Sequence, residues 1–208
     1  MTRSAEVRKT KWLPAIPIFC LLAMSAPDAS GQTLFLGAVG GVSQISQGSD
    51  DPVANWDKGW TAGFDVEFRV LSFLGVTFQY GYHRITYRGG TEFSGGTVQS
   101  EWGDPLRITE LSLGARVYLG PLYLLLRTGS YKFEFGRQIQ TYIPAGSSTP
   151  TTWVRNPESF RSGGNGVGVG LQVEPLETIW VAGEVRMAFI SKTPSLGVIS
   201  LSLKKEMH

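Results

Sequence analysis

From Gly59 to Val70 the chain alternates: Trp60, Ala62, Phe64, Val66, Phe68 and Val70 share one parity, while Thr61, Gly63, Asp65, Glu67 and Arg69 share the other. Period two over this length predicts a β-strand with one apolar and one polar face. The same rhythm returns in Val76, Phe78, Tyr80 and Tyr82 against Thr77, Gln79, Gly81 and His83. It returns in Thr109 to Leu119 against Glu110, Ser112, Gly114, Arg116 and Tyr118, and again in Val167, Val169, Leu171 and Val173 against Gly166, Gly168, Gly170, Gln172 and Glu174. Further strands are expected near Thr33 to Ser46, Ile179 to Phe189 and Leu196 to Leu203. An eighth, Leu122 to Phe135, changes parity midway: Leu122, Leu124 and Leu126 stand on one, Tyr131, Phe133 and Phe135 on the other. A bulge near Thr128-Gly129 would bring both sets to one face.

The seven connections alternate in length. Gln47 to Lys58, Arg88 to Pro105, Gly136 to Gly164 and the shorter Ile190 to Ser195 are separated by tight turns at Leu71 to Leu74, Gly120-Pro121 and Pro175 to Thr178. One end of the sheet is therefore trimmed and the other elaborated, as in a barrel that crosses the outer membrane with strands of roughly 9 to 11 residues.

The polar face distinguishes a membrane barrel from a soluble one. It mixes both signs of charge with glycine, and glycine is a poor residue for a solvated strand. Inside a narrow barrel, small residues make room for large ones. The charged parity is thus read as lumen and the apolar parity as the lipid face, where a mid-membrane Arg would cost roughly 2 to 4 kcal/mol. Trp60, Tyr80 and Tyr82 on the loop side, with Phe73, Tyr123 and Trp180 on the turn side, are candidates for aromatic girdles.

The first residues read differently. Arg3, Arg8, Lys9 and Lys11 precede an apolar run from Trp12 to Met24 that is too short to span a bilayer, which is the pattern of a secretory signal. Ala29-Ser30-Gly31 places the expected cut before Gln32, giving residues 1–31 as signal and 32–208 as barrel. The single Cys, Cys20, leaves with the signal, so neither a disulfide nor a Cys metal site is expected. The chain's +2 comes from 19 Lys+Arg against 17 Asp+Glu. Removing the signal's four bases and two acids leaves 15 and 15, so the mature chain is formally neutral and a nucleic-acid partner is not expected.

The stretch from Gly163 to Glu174, the short turn and Ile179-Trp-Val-Ala-Gly-Glu-Val-Arg186 resemble the penultimate hairpin of small bacterial outer-membrane β-barrel proteins of the OmpA/OmpX-like kind. The strand pattern extends the resemblance over nearly all of 32–208. It implies an all-β fold, an eight-stranded antiparallel up-and-down transmembrane β-barrel, in the outer membrane of a Gram-negative bacterium. Such proteins usually end in an aromatic residue, whereas this chain ends Leu203-Lys-Lys-Glu-Met-His208.

Eight strands enclose an interior only wide enough for side chains. Glu67, Arg69, Glu110, Arg116, Arg127, Glu184 and Arg186 are therefore read as lumenal ion pairs that satisfy one another, and a narrow gated channel is the competing use. A catalytic reading would rest on His83. Some eight-stranded outer-membrane barrels are lipid A acylhydrolases with a His, a nearby Ser and a Glu, but Arg84, Ile85 and Thr86 follow His83 in place of a His-x-Ser arrangement. The Gly163 to Gly170 run leads into a strand, not the helix that a phosphate-binding loop requires. Neither a cofactor nor a metal site is expected.

Tyr142, Trp153, Arg155, Phe160 and Arg161, in the longest external loop, are candidate contact residues, since aromatics with Arg favour binding surfaces. The expected role is structural or surface interaction, not catalysis, with lipid A modification as the alternative. Outer-membrane lipid, lipopolysaccharide and the barrel assembly machinery are the expected partners of a monomer. No periplasmic module is expected after the last strand.

Overall fold

The computed structural model describes residues 32–45, 56–87, 96–191 and 195–207. The expected signal segment, Cys20 and His208 lie outside these, as does most of the first long connection. Eleven strands form among the described residues: β1 Thr33–Ile45, β2 Trp56–Leu71, β3 Leu74–Tyr87, β4 Gly96–Gly103, β5 Leu106–Leu119, β6 Leu122–Phe135, β7 Gln138–Pro144, β8 Thr151–Arg155, β9 Glu158–Leu176, β10 Ile179–Ile190 and β11 Leu196–Met207. Eight close a barrel in the order β1-β11-β10-β9-β6-β5-β3-β2, with β2 pairing back to β1, all antiparallel. These are the eight alternating segments of the sequence.

Closure leaves no exposed edge, which an apolar environment demands because nothing there can satisfy unpaired backbone groups. The parity assignment holds around the wall. Phe64, Leu111, Leu124, Val169, Val185 and Ile199 point outward, each about half exposed or more, while Asp65, Glu110, Tyr123, Gly168, Glu184 and Ser200 point in. The tight turns are two residues long: Gly120 supplies a left-handed φ of 66°, and Thr178 adopts the same φ.

Strand β6 has no bulge. Its ladders to β5 and β9 run unbroken through Thr128 and Gly129, so Tyr131 and Phe133 face inward and Leu122, Leu124 and Leu126 face the lipid. The parity change is real and marks a change in what fills the lumen. Around Arg127 the interior is charged; nearer the loops it is apolar, with Ile45, Ile85, Leu106, Ile108, Tyr131, Phe133, Ala188, Ile190, Leu196 and Val198 packed together. The same alternation takes Tyr123 out of the turn-side girdle and into the lumen, 1% exposed. Trp180 also leaves the girdle: it packs edge-on against Phe35 with ring centroids 5.9 Å apart, and its Nε1 donates to Glu206. Phe73, Trp60 and Tyr80 stay outside.

Glycine serves the lumen in two ways. At Gly170 any side chain would collide with the Tyr123 ring; at Gly63 it would collide with the Tyr80 carbonyl of the neighbouring strand.

The third long segment is not an irregular loop. β7 and β8 pair with each other, and β4, from the second segment, pairs with β7. Counting on from Arg107↔Glu134 in the β5–β6 ladder reaches Gly103↔Gln138 in the β4–β7 ladder with no residue gained or lost. Counting on from Phe135↔Glu158 likewise reaches Gln138↔Arg155. The three strands are thus the barrel wall prolonged beyond its rim, interrupted only where Asp104-Pro105, Gly136-Arg137 and Asn156-Pro157 break the ladder. A bond from the Asp104 amide to the Arg137 carbonyl, 2.9 Å, ties the interruption together.

Candidate functional site: the filled lumen and its flap

The lumen is stacked in layers. At the turn end the Arg69 guanidinium lies 4.2 Å from the Tyr118 ring centroid and 4.7 Å from that of Phe35, with Trp180 at 5.6 Å. Arg69 also reaches Glu67 at 3.2 Å. Cation–π contacts strengthen where water is excluded.

Glu67 is the hub of the next layer. It accepts from Arg116 at 2.6 Å, from Lys204 at 2.7 Å and from the Tyr118 hydroxyl. Arg116 also contacts Asp65 at 2.8 Å and Glu184 at 3.2 Å, and Glu184 accepts from Tyr123 at 3.1 Å. Arg127 lies 3.9 Å from Asp65 and 3.8 Å from Glu184, close enough for attraction but with no hydrogen bond from its three nitrogens.

Above this, Glu110 grips both terminal nitrogens of Arg186 at 2.7 Å, the bidentate geometry that makes arginine–carboxylate pairs strong. Glu110 also accepts from Ser112 at 2.8 Å and contacts His83 Nε2 at 3.1 Å. The apolar cluster closes the stack at the loop end.

The seven lumenal residues read from the sequence, Glu67, Arg69, Glu110, Arg116, Arg127, Glu184 and Arg186, therefore stand in one connected set. Asp65 and Lys204 complete it. Lys204 is 2% exposed, on the inward parity that Val198 and Ser200 already define. It lies one residue past the expected strand end at Leu203, on the continuing β11 alternation. β11 runs on to Met207, opposite Leu34 of β1.

His83, Glu110 and Ser112 are neighbours, but His83 and Ser112 each address the Glu110 carboxylate and not each other. A nucleophilic serine needs its base within hydrogen-bond reach. His83 is 0% exposed within the lumen, and Glu110 itself is held by Arg186. Among the described residues no group of three His, Cys, Asp or Glu side chains is arranged to hold a metal ion.

The five residues assigned to the external loop take different positions. Phe160 belongs to β9 and stacks on Phe133, 5.0 Å between centroids with planes 13° apart, so it joins the apolar cap. Arg155 stands 5.0 Å from the Phe135 ring centroid and pairs with Glu158 at 3.4 Å. Tyr142 and Trp153 are half-buried on the same sheet face as the buried Gln138 and Gln140, while Arg161 is exposed on the barrel wall. The free-loop picture of these residues is therefore corrected: regular pairing holds four of them in β7, β8 or the start of β9, and the fifth lies on β9 outside the barrel. A Cβ at Gly103 would stand 2.8 Å from the Tyr87 ring, so the base of this sheet face packs against the end of β3. The opposite face carries the cross-strand row Trp102, Ile139 and Val154, with Trp102 55% exposed, beside Thr141 and Thr152.

Solved structures of similar architecture include Ail, the attachment invasion locus protein of Yersinia pestis, at 15% identity, covering 85% of this chain and 98% of that one with a TM-score of 0.45. Ail in complex with the heparin analogue sucrose octasulfate gives 12%, 86%, 100% and 0.49. The N-terminal β-barrel domain of Pseudomonas aeruginosa OprF gives 10%, 86%, 100% and 0.42. No curated protein matches the chain in sequence. The family described as outer membrane protein beta-barrel domain matches residues 16–204, and this chain, with its closed eight-stranded wall and outward apolar band, belongs to that outer-membrane family.

Proposed function

We propose that the protein is a closed, non-conducting outer-membrane barrel whose role is structural and interactive, with the β4-β7-β8 flap as its contact surface outside the cell. The observation that carries this is the filled interior. The Arg69 cluster, the ion-pair layers and the apolar cap occupy the barrel from end to end. In such an interior the charged residues hold one another and specify strand register, since leaving any one unpaired is costly. Planar bilayers carrying the full-length mature protein should stay silent. A steady single-channel conductance that changes with Glu110→Gln or Glu184→Gln would replace this reading with an ion path.

The flap presents Trp102, Ile139 and Val154 on one face, with Trp102 and Val154 exposed among the described residues. An exposed aromatic beside aliphatic and hydroxyl side chains suits a macromolecular contact. Lipid A modification is not favoured, because the His83, Glu110 and Ser112 groups are sealed inside the wall.

Residues 1–31 are proposed to be an export signal, and the mature chain a monomer inserted by the barrel assembly machinery. The intact mass of protein extracted from outer membranes should correspond to a chain beginning at Gln32. Retention of residues 1–31 would contradict the signal.

A further inference from the structure

The outer wall carries a second charged arrangement, distinct from the lumen. In the β3–β5 ladder Arg84 stands directly opposite Arg107, and in the β6–β9 ladder Lys132 stands directly opposite Arg161. All four are on outward parity, above the apolar positions of their strands: Tyr80 and Tyr82 lie below Arg84, Leu111 below Arg107, Leu126 below Lys132 and Val167 below Arg161. Arg107 and Lys132 are diagonal neighbours, because Arg107 faces Glu134 and Lys132 faces Thr109. Two like-charged pairs thus merge into one patch across four adjacent strands.

Like charges directly opposite one another destabilise a sheet. In the lumen each cation has a carboxylate within 4 Å. Of the four patch cations, Lys132 has one, Glu134 at 2.5 Å. Arg84, Arg107 and Arg161 are exposed and make no ion pair among the described residues. Among the described residues, four cations against one carboxylate leave the patch three charges in excess, above the apolar band of the wall.

We propose that this patch binds the phosphate groups of a phosphorylated glycolipid in the outer leaflet, one phosphate between Arg84 and Arg107 and a second between Lys132 and Arg161. The assignment goes beyond the structural role and depends only on the protein's place in the outer membrane. Charge, depth and orientation select the occupant. A phosphate group accepts the forked hydrogen bonds of arginine. Its acyl chains run down the apolar wall, beside the Tyr80 and Tyr82 rings. The lipid supplies the charge compensation that the cross-strand pairs lack, so the site is stabilised by what it binds.

The test uses the full mature chain in phosphatidylcholine nanodiscs, titrated with diphosphoryl lipid A and with the same lipid stripped of both phosphates. Wild type is expected to bind the diphosphoryl form at least tenfold more tightly than Arg107→Gln/Arg161→Gln does. The stripped lipid should bind wild type no better than it binds the double variant. Arg137→Gln, an exposed rim residue outside the patch, should match wild type. Arg161→Glu separates binding from folding: it creates an opposite-charge pair with Lys132, so in lipid A-free discs it should resist urea at least as well as wild type while losing affinity. Equal binding by wild type and the double variant, or equal binding of the stripped lipid, would overturn the proposal. So would displacement of the lipid by millimolar inorganic phosphate, which would make the patch a simple anion site.

Discussion

Replacing Glu67 with Gln is expected to lower the unfolding free energy of the barrel in detergent by about 3 to 5 kcal/mol, the range for breaking a buried ion pair from one side. Shape is conserved in this substitution; only the charge is lost. Arg116 and Lys204 then keep Asp65, at 2.8 and 3.5 Å, as their nearest shared carboxylate. The charge inventory makes the effect asymmetric. Asp65, Glu67, Glu110 and Glu184 are four acids, set against Arg116, Arg127, Arg186 and Lys204 in the deep lumen, with Arg69 as a fifth base whose side chain is 14% exposed. An acid lost leaves cations uncompensated, whereas Lys204→Met leaves Glu67 still paired with Arg116 and Arg69. Lys204→Met should therefore cost much less than Glu67→Gln, and the double variant should recover most of the loss. Urea unfolding followed by heat-modifiable gel mobility measures all three. Equal costs for the two single variants would show that water, not Lys204 and Arg116, compensates Glu67.

The second large effect lies in the apolar cap. Phe133→Ala should destabilise the barrel by about 3 to 5 kcal/mol, because a fully buried aromatic takes both its transfer energy and its packing with it. Phe133 is 1% exposed, and its ring lies 5.0 Å from that of Phe160 and 6.4 Å from that of Phe135, both nearly parallel to it. It joins side chains from β1, β3, β5, β10 and β11, so the loss is felt around the circumference. Phe133→Leu, which keeps most of the volume, should cost less than half as much. A cost below about 0.5 kcal/mol for Phe133→Ala, the ordinary range for a surface substitution, would mean that the mouth is open and wet.

The eight wall strands were legible because lipid on one side and a crowded polar interior on the other enforce strict alternation, as along Trp60 to Val70. The lumenal ion pairs were legible for the same reason, since a mid-strand charge on one parity has only the interior to enter. Where a physical demand changes along a strand, the pattern misleads. Tyr131 and Phe133 share the parity of Arg127, and the inference of a bulge followed from assuming that apolar residues must meet lipid. They meet each other, because the loop end of the lumen is closed by packing. Tyr123 misled in the opposite sense: its hydroxyl satisfies Glu184 inside, although its ring suits a membrane girdle.

The flap was hidden for a different reason. Pro105, Gly136 and Pro157 punctuate the chain as loop residues do, and β7 and β8, although they carry β-branched Ile, Thr and Val, are short and separated by Pro144 and Pro150. Only the pairing register reveals that the wall continues past these breaks. Lys204 lies one residue past the expected strand end at Leu203, although Val198 and Ser200 already define its inward parity. The rim patch required register too: no spacing in the sequence places Arg84 opposite Arg107 or Lys132 opposite Arg161.

The sidedness of the wall underlies every one of these arguments, and β11 offers the most direct measurement of it. With Cys20 the single cysteine of the chain, a Cys20→Ser background allows one cysteine at a time to be placed from Val198 to Lys204 and labelled with a fluorophore in bilayers containing lipid-borne quenchers. Positions 199, 201 and 203, whose native side chains are 63%, 66% and 58% exposed on the outer wall, should be quenched strongly, and positions 198, 200 and 204, at 2%, 6% and 2%, should not. A period of two with that phase confirms an apolar face in lipid around a charged, filled lumen. The opposite phase, or uniform accessibility to a water-borne quencher, would contradict it.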